Sequence, residues 1–117
     1  MKFLLTKYDY YDKKAVKYVQ LLHKNKNEYL FKENDNSEYF YGIIQGKISI
    51  RQFETSSHNT KGGRHEEKIK VYLSAGECFG EWGLIYNDKR TASVFLEEES
   101  YFFILDKKSF EKSFKVS

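Results

Sequence analysis

Phe79-Gly80-Glu81-Trp82-Gly83-Leu84-Ile85-Tyr86-Asn87-Asp88-Lys89-Arg90-Thr91-Ala92-Ser93-Val94 carries the densest chemistry in this chain. A glycine that permits close backbone approach is followed at once by a glutamate. A short apolar turn of helix comes next, and its first N–H groups have no partner within the helix. Arg90 then precedes an apolar, β-prone run. The chain has 17 lysines and three arginines, so a guanidinium here is a specific choice of cation. A guanidinium fork binds two oxygens of one phosphate, which an ammonium point charge does less well. The free N–H groups of Gly83 and Leu84 suit the same anion. The Glu81 carboxylate suits a ribose 2′-OH donor, and an acceptor left unpaired in a closed pocket costs about 1–3 kcal/mol. Together these residues describe a pocket for a small, singly charged phosphodiester carried on a ribose.

A cyclic nucleotide has that chemistry, and the sequence outward from the stretch is consistent with it. Tyr29-Leu30-Phe31-Lys32-Glu33-Asn34-Asp35, Phe40-Tyr41-Gly42-Ile43-Ile44-Gln45-Gly46-Lys47-Ile48, Leu73-Ser74-Ala75-Gly76-Glu77-Cys78 and Tyr101-Phe102-Phe103-Ile104-Leu105-Asp106 follow one another in order. With Phe-Gly-Glu and Arg-Thr-Ala-Ser-Val they resemble the cyclic-nucleotide-binding domain family over most of residues 28 to 114. Residues 79–94 resemble its phosphate-binding cassette. The chain departs from the pattern at Gly83, where the family often has alanine, and at Lys89, where several members have proline. The resemblance implies that the base lies in the syn form near Thr91. In cyclic-GMP-dependent kinases a threonine at that place contacts the guanine amino group, whereas some channel domains with Arg-Thr-Ala-Ser-Val accept cyclic AMP. Thr91 thus favours cGMP over cAMP.

The composition suits a single domain. The chain has 117 residues, of which 40% are apolar and 18% aromatic, enough for one compact core rich in strands. The net charge is +3 and the lysines are dispersed, which argues against nucleic acid as a partner. No apolar run approaches the roughly 18 residues of a membrane span and no leader-like segment follows Met1, so a cytoplasmic location without membrane insertion is expected. The one cysteine, Cys78, cannot form an internal disulfide and reads as a small buried thiol. His23, His58 and His65 are scattered without His-x-His spacing, so the metal site of a cupin-type jelly roll is not expected. No nucleophile–base pair supports catalysis.

Periodicity supplies the architecture. Tyr11, Ala15, Tyr18, Val19 and Leu22 share one helical face and predict a helix over Asp9 to Leu22. Short apolar runs divided by Asn34-Asp35-Asn36, Gly42, Gly46 and Gly76 predict strands of an all-β barrel or jelly roll. Lys47 to Phe53 and Ile69 to Leu73 alternate as a hairpin around a polar, mobile and dispensable loop over 54–68. Gly62-Gly63-Arg64 within it lacks the Gly-Lys-Ser/Thr of a phosphate loop. Trp82 reads as core packing rather than as a cover for the pocket mouth, Ser93 as a strand residue, and Glu97-Glu98-Glu99 as a solvated turn. Phe110 and Phe114 mark a helix over Lys107 to Lys115.

The expectation is one mainly β domain over 1–117, a β-roll or jelly-roll barrel with flanking helices. It comprises a helical segment at 1–27, a barrel at 28–105 with the cassette at 79–94, and the start of a C-terminal helix at 106–117. Gly80, Glu81, Gly83, Leu84, Arg90 and Thr91 are the expected ligand-binding residues, with no catalytic residues, metal or cofactor beyond the cGMP or cAMP ligand. The chain reads as a regulatory fragment that lacks the helix covering the base in the family, with an effector such as a kinase domain as partner, linked or separate. A channel or exchange factor is the alternative parent. The alternative function is a fold without ligand affinity serving as an interaction module.

Overall fold

Tyr39–Gln45 and Ser100–Asp106 are apolar on both sides, and each forms a strand buried from two directions. A computed structural model describes residues 19–55 and 65–113. The strands are β1 (Gln20–Lys24), β2 (Tyr29–Phe31), β3 (Tyr39–Gln45), β4 (Lys47–Thr55), β5 (His65–Ser74), β6 (Cys78–Phe79), β7 (Ser93–Leu96) and β8 (Ser100–Asp106). Helix α1 (Glu81–Tyr86) lies between β6 and β7, and α2 (Lys107–Ser113) follows β8. Two four-stranded antiparallel sheets result, ordered β1-β8-β3-β6 and β2-β7-β4-β5. This is the expected jelly-roll architecture.

Alternation along β3 and β8 separates two apolar layers. Tyr41, Ile43, Phe102 and Ile104 point between the sheets, where they meet Ile48, Phe79, Val94 and Leu96. Phe40, Phe103 and Leu105 point outward and are covered by Leu84 of α1 and Phe110 of α2. Gly42 faces Phe103 across the β3–β8 ladder. The Phe103 ring occupies the space a Cβ at Gly42 would take, 1.9 Å from its nearest atom. Asp106 caps the start of α2: its carboxylate accepts the Ser109 N–H at 2.7 Å and is held below the usual carboxylate range by that bond.

Three expectations change. Residues 20–24 form strand β1, paired from Gln20↔Ile104 to Lys24↔Ser100, where periodicity predicts helix to Leu22. Pairing with β8 overrides a local pattern that at five residues does not distinguish the two periods. The predicted helix from Asp9 to residue 18 lies outside the described residues, as does Phe114. The hairpin is longer than alternation suggested, reaching Thr55 and resuming at His65, and residues 56–64 also lie outside the described residues. Finally, the glutamate run is not simply solvated. Glu97 accepts from Ser49 Oγ at 2.6 Å and Arg51 Nη2 at 2.7 Å, and both bonds lower its pKa. Glu99 pairs with His23 at 2.7 Å.

Candidate functional site

Gly80 follows β6 and precedes α1 with φ 91°, a left-handed conformation that a Cβ would strain. A Cβ there would also lie 3.0 Å from Arg90 Nη1 and 3.2 Å from the Tyr39 carbonyl. This close approach is what the glycine permits. Helix α1 has six residues and buries only Gly83 and Leu84. Asn87 closes it in the left-handed region at φ 55°, and its N–H and that of Asp88 both donate to the Gly83 carbonyl.

The chain then returns along the β2–β3 loop, which is stapled to it. The Arg90 N–H donates to the Asp35 carbonyl at 2.8 Å, and the Asn34 N–H donates to the Arg90 carbonyl at 2.7 Å. Ser37 Oγ donates to the Asp88 carbonyl at 2.6 Å. Gly83 leaves room for that hydroxyl, since a Cβ there would lie 1.9 Å from Ser37 Oγ. The departure from alanine at position 83 therefore has a local steric reason.

These elements hold Arg90 at 6% exposure. Its Nη1 donates to the Gly80 carbonyl at 2.9 Å and its Nη2 to the Tyr39 carbonyl at 2.6 Å. The guanidinium lies over the Phe31 ring at 4.2 Å and the Tyr41 ring at 5.8 Å. Its Nε is buried without a hydrogen-bond partner. Burial pulls the Arg90 pKa down, against the opposite pull of Tyr41, Glu38, Glu81 and Asp35. A charge held this way is favourably placed to receive an anion. Tyr41 stacks on Phe79 at 5.2 Å, and burial pushes its hydroxyl pKa up to about 12.

A cavity of about 150 Å³ opens beside Arg90. Gly80, Gly83, Arg90 and Thr91 line it together, four of the six residues expected at the site. Glu81 and Leu84 are not among its lining residues. The Leu84 side chain is buried beneath α1 against Phe40, Phe103 and Phe110, which leaves only its backbone N–H for a ligand. Glu81 is half-buried at the first position of α1 and acts on Arg90 through its charge. Phe31, Ser37, Ile50 and Trp82 also line the cavity. Trp82 is 58% exposed and lies tilted against Tyr86 with ring centroids 4.3 Å apart, so it is not the core residue the sequence suggests. Phe31 sits within Tyr29 to Asp35, but nothing local in the sequence marks it as the floor under a guanidinium. A larger space of about 550 Å³ opens on another side of Arg90, bordered by Leu22, Lys24, Asp35 and Glu38. Among the described residues no cluster of His, Cys, Asp and Glu could hold a metal. No described helix is long and apolar enough to cross a membrane.

The barrel brings the glycine-led turn and the buried arginine to one cavity. The model of the cyclic nucleotide-binding domain family matches residues 21–116, and the chain belongs to that family. Human cGMP-dependent protein kinase 2 is 27% identical over 101 residues, covering 86% of this chain and 12% of the kinase. The cAMP-dependent protein kinase regulatory subunit of Blastocladiella emersonii is 29% identical over 85 residues, covering 73% of this chain and 19% of the subunit. An EAL enzyme solved in cAMP-bound and cGMP-bound forms superposes with a TM-score of 0.65 at 31% identity, over 77% of this chain and 22% of the enzyme. The chain thus spans a small part of each of these relatives, one of which is cGMP-dependent, one cAMP-dependent and one solved with either nucleotide.

Proposed function

We propose that this chain is a cytoplasmic regulatory domain that binds a cyclic nucleotide at the Gly80–Thr91 cassette, prefers cGMP to cAMP, and governs a protein kinase domain. It does no chemistry itself. The observation that carries the reading is Arg90, a guanidinium at 6% exposure whose hydrogen bonds run to neutral carbonyls and whose Nε has none. A cyclic phosphodiester supplies the missing negative charge with two exocyclic oxygens for the fork. The N–H groups of Gly83 and Leu84 complete the cradle, and Glu81 accepts from the 2′-OH.

The geometry also supports a route outward. The carbonyls of Gly80 and Tyr39 now hold Arg90, and a phosphate would compete for it. Any shift of α1 moves Leu84, which shares one apolar cluster with Phe110 of α2. The cassette and α2 would therefore repack together, to the extent that the ligand binds one arrangement more tightly than the other.

Calorimetric titration of the chain with cGMP and with cAMP tests the reading. Binding of both, tighter for cGMP, is expected. Absence of heat with either would favour a fold that serves only as an interaction module.

Two variants refine the assignment. Glu81→Ala is expected to weaken cGMP binding and to affect the 2′-deoxy analogue much less, because that analogue never makes the lost bond. Equal losses would make Glu81 purely structural. Thr91 lines the cavity with its side chain exposed, and its carbonyl accepts Gln52 Nε2 at 2.9 Å. Thr91→Ala is expected to weaken cGMP by about 1 kcal/mol, one ordinary hydrogen bond, and to leave cAMP nearly unchanged. A wild-type preference for cAMP, or equal losses, would end the cGMP assignment while leaving the pocket standing.

A further inference from the structure

The cavity beside Arg90 is small. At about 150 Å³ it falls below the roughly 300 Å³ at the lower end of pockets that enclose a ligand. Its deep end holds Arg90, at 6% exposure, while Thr91 and Trp82 stand exposed at its rim. A nucleotide whose phosphate reaches Arg90 through this cavity would therefore carry its base outward past the rim, toward the only indole in the chain.

That indole is placed unusually for its size. Helix α1 turns Leu84 inward to 2% exposure but leaves Trp82 at 58% and Tyr86 at 57%. The two exposed rings lie four residues apart on one face and rest on each other at an interplanar angle of 44°. Trp82 reaches the cavity together with Ile50, Lys89 and Ala92, and its free face is apolar and planar. A purine presents a matching flat face, and ring stacking takes both surfaces out of water.

We propose that Trp82 covers the base of the bound nucleotide, so that the phosphate cassette carries its own lid. This rests on the cyclic-nucleotide reading above and names the group that closes that site. The base lies between Thr91 at its edge and the indole over its face, and Tyr86 supports the indole from behind. A purine is favoured over a pyrimidine because it offers the larger ring system to stack.

The test uses the intact 117-residue chain, in which Trp82 is the sole tryptophan. Titration with cGMP is expected to quench Trp82 emission and to shield it from acrylamide. In calorimetry, Trp82→Ala is expected to bind cGMP about tenfold or more weakly, with Trp82→Phe recovering part of the loss. The same substitution should cost less with cyclic CMP. Because Trp82 is largely exposed, the alanine variant should fold, and the emission of the wild-type chain gives an independent readout. Unchanged affinity of Trp82→Ala, or full acrylamide access in the saturated wild type, overturns the proposal while leaving the nucleotide site in place. A wild-type chain that binds neither cGMP nor cAMP overturns the site and its lid together.

Discussion

Arg90→Ala is expected to weaken cGMP binding by about 2–5 kcal/mol, the usual cost of removing one partner of a buried, charge-assisted pair. The effect should be large because the site has already desolvated the guanidinium, with only 6% of the residue exposed. Arg90→Lys should fall between wild type and alanine, since it keeps the charge and loses the fork. The alanine variant should remain folded with a lowered melting temperature. It leaves the carbonyls of Gly80 and Tyr39 without their donors, but both border space that water can enter. Calorimetry on the folded variants decides the matter. Undiminished affinity in Arg90→Ala would remove this residue from the site.

The largest effect on stability is expected at Phe103. Its side chain is fully buried in the outer layer, near Phe40 with ring centroids 6.1 Å apart, and it covers the bare backbone of Gly42. Phe103→Ala should cost about 3–5 kcal/mol, combining lost transfer energy with a cavity that Gly42 has no side chain to fill. Phe103→Leu should cost distinctly less. The check is urea unfolding, with the midpoint falling and the slope unchanged. A loss under about 1 kcal/mol would mean that α1 and α2 collapse into the gap.

The cassette and the main hairpin were legible because their signals are local. Phe79-Gly80-Glu81 signals a close backbone approach ahead of a short helix, and β4 and β5 alternate as half-covered strands do. What was not legible depends on partners far along the chain. Gln20–Lys24 is a strand only because β8 pairs with it. Glu97 looks like one of three solvated carboxylates until Ser49 and Arg51 are brought beside it. Trp82 has the hydropathy of a core residue, but a six-residue helix turns just part of its surface inward, and Leu84 occupies that part. The confinement of Arg90 follows from Phe31, Tyr39 and Tyr41, none of which its own neighbours in sequence reveal.

The contact of Ser37 with Gly83 ties two positions that lie 46 residues apart into a single choice. An alanine introduced at 83 meets the Ser37 hydroxyl and displaces it from the Asp88 carbonyl, so the change is harmful while the serine is in place. Once position 37 has lost its side chain, that clash is gone, but the new Cβ still lies 2.9 Å from the Asp88 carbonyl oxygen, so the turn after α1 must shift before the alanine can stiffen the short helix. Of the two orders of substitution, serine first and glycine second meets the smaller clash. A cassette grafted onto another barrel would keep the bond to the Asp88 carbonyl only where a serine stands at the place of position 37.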